Sequence, residues 1–388
     1  MLIRILKVTI LIILLQVSLK VDGQVRVRLF RGLNMDGFIL NIVRGEYEIY
    51  GNGNKRATLA EGGMIYIAVA GEKIAVTSRD SDGFIASNIS LTDISEEGIF
   101  SIKPLPGNKD IFEYEGSLDC SYELENLFLI NEIGIERYVA AVVQAEGGFK
   151  GHPEYFKTQA IITRTYTNLH IDRHFDDGYN LCDDVHCQVY KGRSVTPIID
   201  EAVNATAGLV VTGPDSILIL TPFHSNCGGE TVPSDRVWLT GLPYLQAVTD
   251  PYCLYSKNAT WESEINLSDW KQYLVKNGYN GNGNSGSLNF LQNSRKENYV
   301  AANFQYPLEN IRDDFSLRST FFSVEVTADK VQLKGRGYGH GVGLCQEGAM
   351  VMGSRGFSYS QIIGFYYAGV SIINISFAKS GEKIVKSF

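Results

Sequence analysis

From Gln24 to about Tyr122 the chain alternates apolar and polar residues in short runs. Val25-Arg26-Val27-Arg28-Leu29 sets apolar against basic positions, the pattern of a half-buried strand. Runs rich in β-formers follow at Phe38–Ile42, Tyr47–Tyr50, Met64–Val69 and Ile74–Thr77, with Gly51-Asn52-Gly53-Asn54 and Glu61-Gly62-Gly63 as turns. Near Leu127 the period changes. After Asn131, residues Ile135, Tyr138, Val139, Val142 and Val143 fall on one helical stripe that Gly147-Gly148 ends. Pro153 opens a second helix to about Ile171, since proline at a first helical position loses no needed N–H. A loop to about Asp184, a short helix at Asp200–Ala207 and buried strands at Leu209–Val211 and Ile217–Leu220 are predicted next.

Residues 255–315 carry less pattern: Ser268 is the expected cap of a short helix, Gly278 its stop, and Asn280–Ser287 a polar loop. A strand at Phe321–Val326, a glycine-rich stretch at Gly335–Gly343 and two short helical runs near Gln346–Gly353 and Ser360–Tyr367 complete the reading. The class is α+β: a β-rich framework carrying a few helices, with a groove between the helical part and the glycine-rich loops. The divisions are 1–23 leader, 24–122 β-rich module, 123–254 core with helices, 255–320 insertion and 321–388 C-terminal part of the core.

Composition narrows the function. Of 388 residues 44% are hydrophobic and 20% charged, an ordinary globular balance. Lys and Arg number 35 against 43 Asp and Glu, a net charge of -8, which removes the simplest support for a nucleic-acid partner. Arg4 and Lys7, the apolar run Val8–Val17 and the small-residue site before Gln24 read as a secretory signal, too short to span a bilayer. The expectation is an exported protein without a stable membrane anchor, in a compartment that permits disulfides among its 6 cysteines.

Four clusters could carry chemistry. Glu146 extends the apolar stripe of its helix and sits in the last turn, where desolvation and the carbonyl dipoles both favour a protonated carboxyl. A neutral acid suits general-acid catalysis on a glycosidic oxygen, and Gly147-Gly148 would let substrate approach; a solvated helix end is the plainer alternative. Gly335–Ala349, GRGYGHGVGLCQEGA, lacks phosphate-loop spacing and reads as a loop holding Tyr338 and His340 close to another surface. His174, Cys182, His186 and Cys187 could hold a structural zinc, with disulfides (Cys182–Cys187, or to Cys227 or Cys253) as the alternative. His224-Ser225 lies in a polar loop but has no nucleophile-elbow pattern, so a serine hydrolase is rejected.

Taken in order, Asn131-Glu132-Ile133 through Glu146, Gln159–Tyr166 (QAIITRTY), Gln188-Val189-Tyr190, Ala202–Gly208, His224–Thr231, Pro243-Tyr244-Leu245, GHGVGLCQEGA and Ser358–Gly369 resemble the stage II sporulation protein D and amidase-enhancer family. The resemblance covers roughly residues 24–375. It implies a lytic transglycosylase that cleaves peptidoglycan glycan strands and leaves 1,6-anhydro ends, with Glu146 as the single acid–base residue and no required cofactor. It also implies that Arg164, Tyr190, His224, Ser225, His340 and Gln346 line or support the groove, and that His174, Cys182 and Cys187 are metal ligands. A structural ion pair is the alternative for Arg164. Cys227 and Cys345 stand where the family often has serine, so a disulfide between them is a further expectation. The alternative function is a non-catalytic peptidoglycan-binding partner that enhances a cell-wall amidase.

Overall fold

The computed structural model describes residues 23–78, 82–106, 110–238, 240–281 and 285–379. The expected leader, apart from Gly23, lies outside the described residues.

The N-terminal alternation folds into two antiparallel-rich sheets. One has seven strands, in the order Leu181–Cys182, Gln24–Leu29, Asn126–Gly134, Ser117–Glu123, Asn88–Asp93, Tyr47–Gly51 and Asn54–Leu59. The other has six, in the order Phe112–Glu115, Ile99–Leu105, Gly37–Arg44, Met64–Ala70, Lys73–Ser78 and Phe84–Ala86. Val25, Val27 and Leu29 from the first and Phe38, Leu40 and Ile42 from the second enter one hydrophobic core, which continues into the helices. Residues 24–122 therefore share their core with the following segment. Arg26 on the opposite face pairs with Glu132 and Asp119. Arg28 departs from the half-buried expectation: it is buried, donates to the carbonyls of Leu127 and Leu129, and lies 3.9 Å from the Phe128 ring centre.

Asn131 does not introduce a helix. It lies inside the strand Asn126–Gly134, in register with Val27, and its amide donates to the carbonyls of Glu115 and Ser117. The helix α1 (Ile135–Gly147) starts directly where that strand ends, and its apolar stripe is buried as the period predicts. α2 (Pro153–Leu169) begins at Pro153, with the His152 ring accepting from the Glu154 amide. It packs against α1, α3 (Pro197–Ala205), α7 (Gln346–Ser354) and α8 (Tyr359–Tyr366), the last opened by a capping box between Ser358 and Gln361. The Leu209–Thr212 strand pairs with Ser371–Asn374, while Ile217–Leu220 makes only isolated bridges.

A second core lies between α4 (Asp235–Trp238) and the glycine-rich stretch. The sheet Thr260–Asn266, Lys330–Arg336 and Phe322–Val326 packs with α5 (Leu267–Lys276) and α6 (Leu308–Asp314) around Trp270, Leu274, Tyr299, Ile311, Phe322 and Leu333. Strands 322–326 and 330–336 belong to this unit, so a boundary at residue 320 cuts through it. Asn266, not Ser268, occupies the N-cap of α5; Gly278 follows its C-cap with φ +98°. Gly337, Gly339, Gly341 and Gly343 all have positive φ, and a Cβ on Gly339 would lie 2.8 Å from that of His224. The glycines let this loop lie directly on the His224 segment.

Candidate active site

Glu146 ends α1 half-buried, on the same side as the buried stripe. Its Oε1 accepts the Val189 N–H at 2.9 Å. Burial raises its pKa above the ordinary carboxyl value, and the Val189 bond opposes that only in part. α1 has no basic residue in its last turn, so the terminal carbonyls also disfavour the charged form. The backbone here is held from two sides: Gln346 Nε2 donates to the Glu146 carbonyl at 3.0 Å, and the Tyr155 hydroxyl to that of Gly147 at 3.3 Å. Gly148, at φ +80°, has nothing within 4 Å of where its side chain would stand, two residues beyond the acid.

Gln346 is brought there from the far end of the chain. The strand Phe223–His224 pairs in parallel with Leu344–Cys345, and the Glu347 N–H donates to the Ser225 carbonyl. The Ser225 hydroxyl accepts from Asn258, whose amide also reaches Glu347. Ser225 and Gln346 thus belong to the loops around Glu146.

The other groove candidates are placed differently. Arg164 is 1% exposed, bound through Nε and Nη2 to Glu136 and through Nη1 to the Leu209 carbonyl at 2.9 Å. Glu136 also accepts from the Gly208 amide, so the pair joins α1, α2 and the strand after α3. Arg164 is therefore the structural ion pair, since its donors are spent inside the core. Tyr190 is likewise fully buried, its ring tilted against those of Tyr138 and Tyr114, with its hydroxyl on Asn131 Oδ1 at 2.7 Å. Both residues support the site from within and present no surface to a polymer.

His224 and His340 lie behind the loops, with ring centres 5.4 Å apart. His340 accepts at Nδ1 from the Val342 amide and faces the Phe223 carbonyl through Nε2; burial pushes its pKa down to about 4. His224 is buried, bonded through Nδ1 to the Val342 carbonyl, and burial holds its pKa well below the usual histidine value. His340 lines a cavity of about 280 Å³ with Arg295, Arg312 and Glu297; Glu146 is not among its walls.

The ring and thiol donors of His174, Cys182, His186 and Cys187 lie within 4.8 Å of one another. Cys187 Sγ is 3.6 Å from His174 Nε2 and from His186 Nδ1, and Cys182 Sγ is 3.5 Å from His186 Nδ1. His174 turns its other nitrogen to Asp177 Oδ2 at 3.1 Å, the usual outer partner of a ligating imidazole. Two thiols and two imidazoles fit a closed tetrahedral zinc site. His186, one of the four candidates read from the sequence but not among the three ligands that the resemblance implies, stands with the other three donors. All 6 cysteines are free thiols in the structure.

Gln159, quoted above only within a motif, is fully buried and packs by Gly147; its amide atoms have no hydrogen-bond partner among the described residues. Nothing in the local pattern marks it, since only α2 docking on α1 brings it there.

Residues 123–212 match a family described as "SpoIID: Stage II sporulation protein". An uncharacterized protein of Brachyspira hyodysenteriae is 28% identical over 68% of this chain and 73% of its own length. Stage II sporulation protein D of Bacillus subtilis is 27% identical over 63% of this chain and 75% of its own length. Over residues 123–212 the chain is similar to the SpoIID family. An amidase enhancer of Bacillus subtilis is also similar, at 26% identity over 56% of this chain but only 38% of that longer protein.

The matched SpoIID segment contains Glu146, the His174–Cys187 cluster and Val189, joined by a short path: Cys187 is two residues before the amide that holds the carboxylate. Ser225, His340 and Gln346 fall outside that segment and reach it only through the fold.

Proposed function

We propose that the protein is an exported lytic transglycosylase of bacterial peptidoglycan, with Glu146 as its single acid–base residue. The observation that carries this reading is the environment of Glu146: a carboxyl desolvated at a helix C-terminus, with a raised pKa, one oxygen held by a backbone amide and open space beside Gly148. Protonated Glu146 donates to the oxygen between N-acetylmuramic acid and N-acetylglucosamine. The resulting carboxylate accepts the proton of the muramyl C6 hydroxyl, which closes on C1 to give the 1,6-anhydro end. No water enters, so no second carboxylate is needed, in contrast to ordinary glycoside hydrolysis.

Gln346 and Tyr155 fix the backbone at the end of α1 and so the direction of the carboxyl. The His174, Cys182, His186 and Cys187 donors would hold a structural zinc that anchors the segment carrying the Val189 amide. Zinc here supplies cohesion, not reaction chemistry.

Incubation with intact and with amidase-stripped glycan strands, read by mass spectrometry, tests the reading. Anhydro-muramyl ends should form with wild type and vanish with Glu146→Gln. Absence of such ends on both substrates, with strands still bound, would overturn it. That outcome favours the second reading, suggested by the amidase enhancer among the relatives: a peptidoglycan-binding partner that stimulates a separate amidase. Glu146→Gln would then stimulate as well as wild type.

A further inference from the structure

Three cysteines and an aspartate from distant parts of the chain meet in the core. Cys227, Asp250, Cys253 and Cys345 are each 0% exposed, and their Sγ and carboxylate oxygen atoms lie within 4.8 Å of one another. Cys227 Sγ is 3.4 Å from Cys253 Sγ and 3.3 Å from Asp250 Oδ2. A tetrahedral ion with metal–sulfur bonds of about 2.3 Å sets its ligands roughly 3.8 Å apart, so the spread fits one ion.

Charge balance points the same way. A fully buried carboxyl needs a countercharge or must stay neutral. Asp250 forms no ion pair with Lys, Arg or His among the described residues. Its oxygens instead accept from the Tyr252 amide at 2.8 Å and the Tyr366 hydroxyl at 2.9 Å, as outer partners orient a ligating carboxylate. Cys345 Sγ accepts two backbone amides, Cys227 N–H at 3.3 Å and Gly348 N–H at 3.4 Å, outer partners that orient a ligating sulfur. Gly348 is required beside it, because a Cβ there would lie 2.3 Å from Asp250 Oδ2.

A disulfide accounts for less of this. Three thiols cannot all pair, so a Cys227–Cys253 bond would strand Cys345 and leave Asp250 without a cation. Soft thiolates with one carboxylate in a tetrahedral set select zinc over magnesium or calcium.

We infer that Cys227, Asp250, Cys253 and Cys345 form a second zinc site, closed and structural, that ties the Ser225 loop and the Asp250–Cys253 turn to the N-terminus of α7, from which Gln346 reaches the Glu146 carbonyl. The site is separate from the His174 cluster and does not depend on the glycan reaction.

Elemental analysis of the full chain, purified without chelator, tests it together with Cys182→Ser/Cys187→Ser and Cys227→Ser/Cys345→Ser variants. Zinc should remain at one equivalent in the first variant, and the second should lose that equivalent relative to wild type. A first variant that is folded by circular dichroism yet carries no zinc would overturn the inference. Wild type provides a measurement independent of variant folding. Native mass spectrometry of the wild type should show two zinc ions per chain. A folded chain that carries no zinc, or a Cys227–Cys253 linked peptide in an unreduced digest, would equally overturn it.

Discussion

At the scale of single residues, the site consists of side chains whose surroundings set their protonation. Glu146 has a raised pKa because burial disfavours its charge. The fold therefore binds the Glu146 proton more tightly than the unfolded chain does, so this residue costs stability once pH rises above the ordinary carboxyl range. Glu146→Gln should melt at a higher temperature than wild type at pH 7, with the gap closing below about pH 4, as thermal denaturation at both values would read. A stabilising loss of function is what a desolvated catalytic acid predicts; a melting point unchanged at pH 7 would return Glu146 to a solvated helix end. Tyr190 makes the opposite case. Tyr190→Phe removes one buried hydrogen bond to Asn131, so unfolding in urea should show a loss of about 1 kcal/mol with glycan cleavage retained.

Between elements, the Arg164–Glu136 pair joins α1 and α2 to the strand after α3. Removing Arg164 takes its donors from Glu136, whose side chain is 26% exposed, and from the Leu209 carbonyl, and it empties a buried volume. Arg164→Ala should cost about 3 kcal/mol in chemical denaturation, and Arg164→Lys should not restore the two-toothed contact. Sugar affinity of whatever folds should stay near wild type, because Arg164 reaches no surface. The His174–Cys187 cluster lies at the same scale, two residues before the Val189 amide in the chain. Cys187→Ser should lower the melting temperature and slow cleavage while strand binding persists, measured by pull-down with insoluble peptidoglycan beside the product assay.

Across the whole molecule, several histidines are buried in the neutral form. Burial lowers His170 and His340 to about 4, and His224 also lies well below the usual value. A depressed histidine pKa contributes stability that is complete above the unfolded value near 6.5 and is lost as pH falls through the folded value. The protein should therefore lose stability progressively from about pH 6.5 to 4, read as the denaturation midpoint against pH. His340→Gln should flatten that slope if it folds. Among the described residues no helix is long and apolar enough to cross a membrane. Local pattern sufficed for what depends on neighbours in the chain: the strands at Gln24–Leu29, Gly37–Arg44, Tyr47–Gly51, Met64–Ala70 and Lys73–Ser78, the start of α2 at Pro153, the end of α1 at Gly147-Gly148, and Glu146 at its edge; the strand expected at Ile217–Leu220 did not form. The pattern did not show that Asn131 lies inside a strand or that the boundary at residue 320 falls within a core, because strand pairing and the membership of a core are long-range facts. Periodicity likewise could not say that Arg28 is buried against Phe128 or that Arg164 faces Glu136, since a basic residue on a half-apolar stripe fits a wet face equally well. The meeting of Gln346 with Glu146, and of Cys227, Asp250, Cys253 and Cys345 with one another, was decided only by tertiary structure. Each joins residues far apart in the chain, and no spacing in a sequence records which distant surfaces bury each other best.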